Sequence, residues 1–240
     1  MEHGAGQKIR PSVFITGAGR GLGLCLTELF LEKGYTVLAG RFQATEGLDN
    51  LAATSGDALR CIPMDVTDDH TVASAAALTG SLSAGLDVLI NNAAVCEDEG
   101  GRIEQVDFGR VAQIINVNTI GPLRLSKAFL PLLRKGNMKT IVNVSSEAGS
   151  IASCWRNGMF GYCMSKAALN MQTKLLYNDL HDDGFRVLSI HPGWMKTDMG
   201  GPKAEIDPQE AAQGIFRVIN GPTPAADILF CDYNGLPLKF

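Results

Sequence analysis

Nothing in this 240-residue chain approaches the roughly 20 consecutive apolar residues that cross a bilayer, and Met1 to Lys8 lack the apolar run of a signal peptide. A cytoplasmic protein without membrane association is expected. Basic clusters are missing too. Twenty-one Lys and Arg stand against 25 Asp and Glu, a formal net charge of −4. Sequence-independent nucleic-acid binding rests on phosphate neutralisation, and here nothing would carry it. The six cysteines (Cys25, Cys61, Cys96, Cys154, Cys163 and Cys231) form no Cys-x-x-Cys pair and have no cluster of histidines beside them. That argues against a disulfide framework and a zinc site, so the cysteines read as thiols in a reducing compartment and no metal is expected. Linkers, low-complexity tracts and short repeats are also missing.

What is present is an ordinary globular balance, 45% apolar and 19% charged. It suits a single domain over residues 1–240, with 1–10 as a flexible tail. Apolar, β-rich runs at 12–17, 35–40, 58–64, 87–93, 139–145, 186–191 and 227–232 alternate with helical spacing at 22–33, 68–79, 104–134, 160–182 and 208–220. The long third helical region, 104–134, is interrupted near Gly121-Pro122. Continuous Val/Ile/Leu strands with helical crossovers predict an α/β, doubly wound Rossmann-type domain. Its parallel sheet would have about seven strands, helices on both faces, and ligands at the carboxyl ends of the strands.

Two local patterns carry chemistry. The first is Thr16-Gly17-Ala18-Gly19-Arg20-Gly21-Leu22-Gly23, between a predicted strand and a predicted helix. Glycines let the backbone approach a pyrophosphate, and the helix start offers free N–H groups. No Lys-Ser/Thr follows the last glycine, so this is not a Walker A loop. A dinucleotide is favoured over a purely structural turn. The second pattern is Tyr162-x-x-x-Lys166. Residues i and i+4 share a helix face, so the ammonium can approach the phenol and lower its pKa. A fall from about 10 to about 7 takes roughly 4 kcal/mol. About one chain in six of this composition would carry the pattern by chance, so its weight comes from its company.

Charge bears on the choice of cofactor. Val37-Leu38-Ala39-Gly40-Arg41 ends the second strand, where NAD enzymes place an acid for the ribose 2′-OH. Gly40 holds that place here. Arg41 and Arg20 could clamp a 2′-phosphate, with two solvated arginines as the alternative, and NADP(H) is expected.

The chain resembles the short-chain dehydrogenase/reductase family from about Ser12 to the C-terminus. The resemblance rests on Thr16-Gly17-x-x-x-Gly21-x-Gly23, Asn91-Asn92-Ala93-Ala94, Asn118, Val144-Ser145-Ser146, Tyr162-x-x-x-Lys166 and Pro192-Gly193, in the family's order. Within the family, the stretch from His191 to Gly201 is similar to the small carbonyl reductases called sniffer and to bacterial C-factor proteins. The resemblance implies a bound nicotinamide cofactor and reversible hydride transfer to a carbonyl or from an alcohol. By matching position, Tyr162 would protonate the nascent alkoxide and Ser146 would hydrogen-bond the substrate oxygen. Lys166 would lower the Tyr162 pKa and bind the nicotinamide ribose. Asn118 would hold a water linking Lys166 to solvent, or else merely interrupt its helix or satisfy a neighbouring carbonyl. Ser145 is the rival of Ser146, since adjacent strand residues face opposite ways, and Ser146 is preferred.

On the cofactor side, Leu22 completes the glycine turn. Asp65, followed by Val66, resembles the adenine-contacting acid, although an acid before a helix is also structural. Asn91, Asn92 and Ala93 would hold the strand ends around the cofactor, while Thr197, after Pro192 and Gly193, would meet the nicotinamide carboxamide. His191 reads as packing or a loop hydrogen bond rather than a base, since Tyr162 fills that role. The segment 147–161 is slightly long and 194–207 is brief, so an open pocket is expected. Trp155, Phe160 and Trp194 would wall it, with ordinary packing as the alternative. Bulky apolar carbonyls are admissible. The helices at 104–134 and 160–182 match the family's usual dimer surface, implying a homodimer or homotetramer. The expected function is NADPH-dependent reduction of a ketone or aldehyde. The alternative is a cofactor-binding sensor or signalling protein on the same scaffold, which the intact Ser146, Tyr162 and Lys166 set disfavours.

Overall fold

A computed structural model describes residues 10–96, 101–222 and 229–240. Strands β1 (Ser12–Thr16), β2 (Thr36–Arg41), β3 (Leu59–Pro63), β4 (Val88–Asn91), β5 (Thr140–Val144), β6 (Arg186–His191) and β7 (Phe230–Asp232) form one sheet in the order β3-β2-β1-β4-β5-β6-β7. Every pairing is parallel. β1, β4 and β5 are buried at every position, which is why they read as unbroken apolar runs rather than alternating ones.

Helices α1 (Gly21–Glu32), α2 (Glu46–Ser55), α3 (Asp69–Leu82), α4 (Phe108–Ile115), α5 (Gly121–Leu133), α6 (Phe160–Leu180) and α7 (Pro208–Asn220) cover the sheet. Alternate strand positions face opposite layers. Val13, Ile15, Val37 and Ala39 meet Leu26 and Phe30 of α1 and Ile215 and Ile219 of α7. Phe14, Leu38, Leu89 and Ile141 meet Val72, Leu125, Phe129 and Leu180 on the other face. This is the expected doubly wound Rossmann-type sheet.

Strands are added in one direction from β1 to β3 and in the other from β4 to β7, so the order reverses between β1 and β4. Their carboxyl ends open a crevice there, the usual ligand position in such sheets. The register keeps those ends level, pairing Thr16 with Gly40, Asn91 with Asn143, and Val144 with Ile190.

The sequence reading departs from the structure at particular places. Helix α2 was not expected: it is mostly polar, carries Gly47 in its first turn, and fully buries only Leu48. The interruption of the expected helical region 104–134 lies at a π-helical turn, Asn116–Ile120, just before the expected Gly121-Pro122. Those two residues instead open α5, where a proline lacking its N–H costs nothing. β4 stops at Asn91 rather than at 93, because the Asn92 and Ala93 N–H groups turn to the Thr16 side chain. Of the expected strand 227–232, residues 227 and 228 lie outside the described residues, as do 1–9 of the expected tail. No helix among the described residues is long and apolar enough to cross a membrane.

Candidate active site

The crevice begins at the end of β1. Thr16 Oγ1 accepts the Asn92 and Ala93 N–H groups, both at 3.0 Å, and Asn92 Nδ2 donates to the Thr16 carbonyl at 2.8 Å. Asn92 thereby fastens β4 to the glycine turn. Gly17 and Gly21 have φ of +64° and +52°, which side chains rarely tolerate. A Cβ on Gly23 would lie 2.1 Å from the Gly17 carbonyl oxygen, so only glycine lets α1 start this close. The α1 N-cap, Arg20, makes no side-chain cap bond, and its first turn holds no acid. The opening N–H groups of a 12-residue helix therefore lack a capping side chain, beside a backbone turn that leaves no room for a Cβ at Gly23. Buried at the neighbouring strand end, Asn91 donates through Nδ2 to Asn143 Oδ1 at 2.8 Å, yet its own Oδ1 has no partner among the described residues. An anion-accepting turn and an orphaned acceptor beside it fit a dinucleotide.

The remaining cofactor-side candidates surround this turn. Thr197 Cγ2 lies 3.3 Å from where a Gly21 Cβ would stand, and its Oγ1 accepts the Gly200 N–H at 3.2 Å. Gly193, with φ of +82°, follows Pro192 and lets the chain pass Ile206. Asp65 Oδ1 accepts from the Thr67 N–H and Oγ1 at 2.8 and 2.7 Å, a local turn that is the structural alternative already weighed. The Val66 carbonyl accepts from Arg124 Nη1 at 2.7 Å. Neither expected arginine stands alone: Arg41 pairs with Asp49 of α2, and Arg20 pairs with Asp198 at 3.0 Å.

The second half of the site lies at the end of β5. Ser145 turns away, donating to Asn170 Oδ1 at 2.7 Å. Ser146 Oγ accepts the Ala148 N–H at 3.1 Å and shares a hydrogen bond with the Tyr162 hydroxyl. The two serines thus face opposite ways, as an extended chain requires. Lys166, one turn after Tyr162 on α6, is 2% exposed. Its Nζ stands 5.7 Å from the Tyr162 ring centroid and donates to the Val144 carbonyl at 2.8 Å. Burial depresses this ammonium to about 8.

One expectation is corrected. The Tyr162 phenol is not acidified by Lys166 in this structure. Tyr162 is partly buried, and desolvation, joined by Cys96 and Glu147, pushes its phenol above the ordinary tyrosine range. Ser146 and Arg156 oppose that shift and do not overcome it.

Residues 11–207 match the family model described as short chain dehydrogenase. The chain belongs to the short-chain dehydrogenase family. It is 41% identical to C-signal of Myxococcus xanthus over 150 residues, 62% of this chain and 90% of that one. Among solved structures it is similar to the NADPH-bound carbonyl reductase from chicken fatty liver, at TM-score 0.88 and 32% identity over 97% of this chain and 100% of that one. The carbonyl reductase Sniffer of D. melanogaster gives TM-score 0.89 and 31% identity over the same shares, 97% and 100%.

In this short-chain dehydrogenase Asn118 sits in the π turn. Its Oδ1 accepts the Val95 N–H at 2.9 Å, and its Nδ2 donates to the Val95 carbonyl at 2.8 Å and to Ser165 Oγ at 3.1 Å. Both alternatives weighed for it are therefore visible, an interrupted helix and a satisfied neighbouring carbonyl. Of the expected pocket wall, Trp155 is 77% exposed with the Arg156 guanidinium 4.6 Å from its ring, Trp194 donates through Nε1 to the Gly200 carbonyl at 2.8 Å, and Phe160 opens α6.

Three features escaped the sequence reading. Arg156 grips Glu147 with two hydrogen bonds, 2.8 and 2.5 Å, tying the residue after Ser146 to the approach of α6. Asn170 accepts from both Ser145 and Ser189 and donates to the Gly149 carbonyl. Its place on the same helix face, four residues after Lys166 and eight after Tyr162, is the signal that could have found it. Asp49 faces Arg41 from the helix that was missed.

Proposed function

We propose that this protein is an NADPH-dependent reductase of ketones or aldehydes, with Tyr162 as proton donor. The observation that carries the proposal is the convergence of Ser146, Tyr162 and Lys166 beside an anion-ready glycine turn. The family supports oxidoreductase chemistry, and the NADPH held by the chicken carbonyl reductase supports the cofactor.

The reduced nicotinamide, when bound, supplies a hydride to the carbonyl carbon. Tyr162 gives its hydroxyl proton to the oxygen as the C–O double bond becomes single. Ser146 Oγ, already hydrogen-bonded to that hydroxyl, orients the same oxygen. Burial keeps the phenol protonated through neutral pH, which suits a donor. Lys166, at about 8, is mainly an ammonium at pH 7, so a positive charge stands beside the phenolate as it forms. Alcohol oxidation requires that phenolate at the outset, so it gains with rising pH while reduction is served near neutrality. Arg41 and Arg20 would meet the 2′-phosphate, and Trp155, Phe160 and Trp194 would wall the substrate.

Tyr162→Phe tests the proposal. NADPH oxidation over a panel of ketones and aldehydes should fall to background, while NADPH still binds, as followed by its fluorescence. A variant that keeps turnover, or a panel in which no carbonyl separates the two proteins, overturns the reductase assignment and leaves the sensor or signalling role.

A further inference from the structure

Arg41 is the residue on which the NADPH assignment leans most, and its guanidinium is engaged. Nη1 donates to Asp49 Oδ1 on α2, with the arginine side chain 21% exposed and the aspartate 48%. The carboxylate is presented from a fixed support. Thr45, at the α2 N-cap, donates through Oγ1 to the Gly19 carbonyl of the glycine turn at 2.8 Å. Gly47 lies against Leu24 of α1, where a Cβ would come within 2.9 Å of the leucine, and Leu48 is fully buried. The turn fitted to a pyrophosphate therefore also sets where Asp49 stands.

Two arginines near a 2′-phosphate would favour NADPH strongly if both were free. Asp49 changes that in two ways. It holds the guanidinium the phosphate would use, and it places a negative charge beside the site of a dianion. A ribose 2′-OH carries no charge and meets neither obstacle. The other pair, Arg20 with Asp198, is largely exposed on both sides and yields easily to a competing anion. Cys61, half-buried on β3, lies close enough to feel both Arg41 and Asp49, and burial keeps its thiol neutral.

We infer that Asp49 is a specificity-determining residue that weakens the preference for NADPH over NADH by occupying Arg41. The inference rests on the proposed cofactor site and refines it. The chain accepts both cofactors, with a modest bias to the phosphorylated one, and Asp49 sets how modest.

The test is binding, read by titration calorimetry with 2′,5′-ADP and 5′-AMP as the phosphorylated and unphosphorylated probes, and by fluorescence with NADPH and NADH. Asp49→Asn should tighten NADPH and 2′,5′-ADP by about three- to tenfold, the range of an exposed charge pair together with removal of a like charge. NADH and 5′-AMP should stay within about twofold. Asp49→Ser provides a second variant should the amide disturb α2, and thermal melts check the fold of each. An unchanged NADPH-to-NADH ratio, a loss of NADPH affinity, or an equal change for both cofactors overturns the inference. Arg41→Ala separates this from the parent assignment: if it leaves the ratio unchanged, the NADPH assignment itself fails, whatever Asp49 does.

Discussion

Replacing Lys166 by Met should make the protein more stable while abolishing its proposed activity, and the gain should depend on pH in a defined direction. Lys166 is an almost fully buried ammonium whose hydrogen-bond acceptor is the Val144 carbonyl, at 2.8 Å. Burial takes it from the ordinary 10.5 to about 8. At about 1.36 kcal/mol per unit, this is a cost to folding of roughly 3 kcal/mol at pH 7, where folded and unfolded chains both carry the proton. Met has nearly the same length and no charge, so it removes that cost without a large change in volume. It also leaves the Val144 carbonyl without its donor, which returns about 1–2 kcal/mol. The net gain is about 1–2 kcal/mol, or an increase in Tm of roughly 3–6 °C for a chain of this size.

The pH dependence is the sharper part. In the unfolded chain Lys166 keeps its proton up to about 10.5, whereas in the folded one it releases it near 8. Between those values the unfolded state binds more protons, so wild-type stability rises with pH, an increase the Met variant lacks. The difference in Tm between variant and wild type should be positive at pH 7, shrink above pH 8 and pass through zero between about pH 9 and pH 10, where the lost Val144 hydrogen bond outweighs the fading cost of the charge. Groups common to both proteins, including the raised Tyr162 phenol, cancel in that difference to first order. Paired thermal melts without cofactor at pH 7, 8.5 and 9.5 measure it. A variant less stable than wild type at pH 7, or a gap that does not change with pH, would refute the account of Lys166 as a depressed, costly ammonium.

Two further predictions follow from side chains away from the glycine turn. The Glu147 carboxyl, held below the usual carboxylate range chiefly by Arg156, stabilises the fold above its unfolded pKa and loses that contribution as acid protonates it. A denaturant double-mutant cycle on Glu147→Gln and Arg156→Leu should give a coupling of about 1 kcal/mol at pH 7, small because the carboxylate is partly solvated, and no coupling near pH 3. A coupling that survives at pH 3 would mean that packing, not charge, joins the two. Met164, Met171 and Leu175 expose an apolar stripe along α6, and Phe108, Ile120 and Leu123 are exposed on the neighbouring α4–α5 segment. As part of the proposed homo-oligomer, Leu175→Glu should shift the sedimentation coefficient toward the monomer while leaving the far-ultraviolet spectrum unchanged. A wild type that already sediments as a monomer removes the premise.

What the sequence disclosed and what it hid divide along a physical line. The glycine turn, Tyr162 with Lys166, and the order of strands were legible because each is written locally: a steric requirement within eight residues, a helix face with period four, apolar runs of five. The parallel, doubly wound arrangement could be anticipated since crossover connections leave few choices. Helix α2 was missed because its apolar spacing, Leu48, Leu51 and Ala52, covers little more than one turn among polar residues, and only Leu48 and a close Gly47 fix it firmly to the core. The partners of the charges were hidden for the same reason. Arg41 and Arg20 were counted as free cations, yet each has an acid opposite, and Asp198 lies 178 positions from its arginine. Tyr162 shows the same limit from another side: the spacing correctly placed a lysine beside the phenol, while the sign of the resulting pKa shift is set by burial, which no spacing records. A motif therefore fixes which groups meet, whereas how acidic or available they are depends on partners and desolvation drawn from the whole fold. By that logic, cofactor preference here is better sought in Asp49, which neutralises an arginine, than in the arginines themselves.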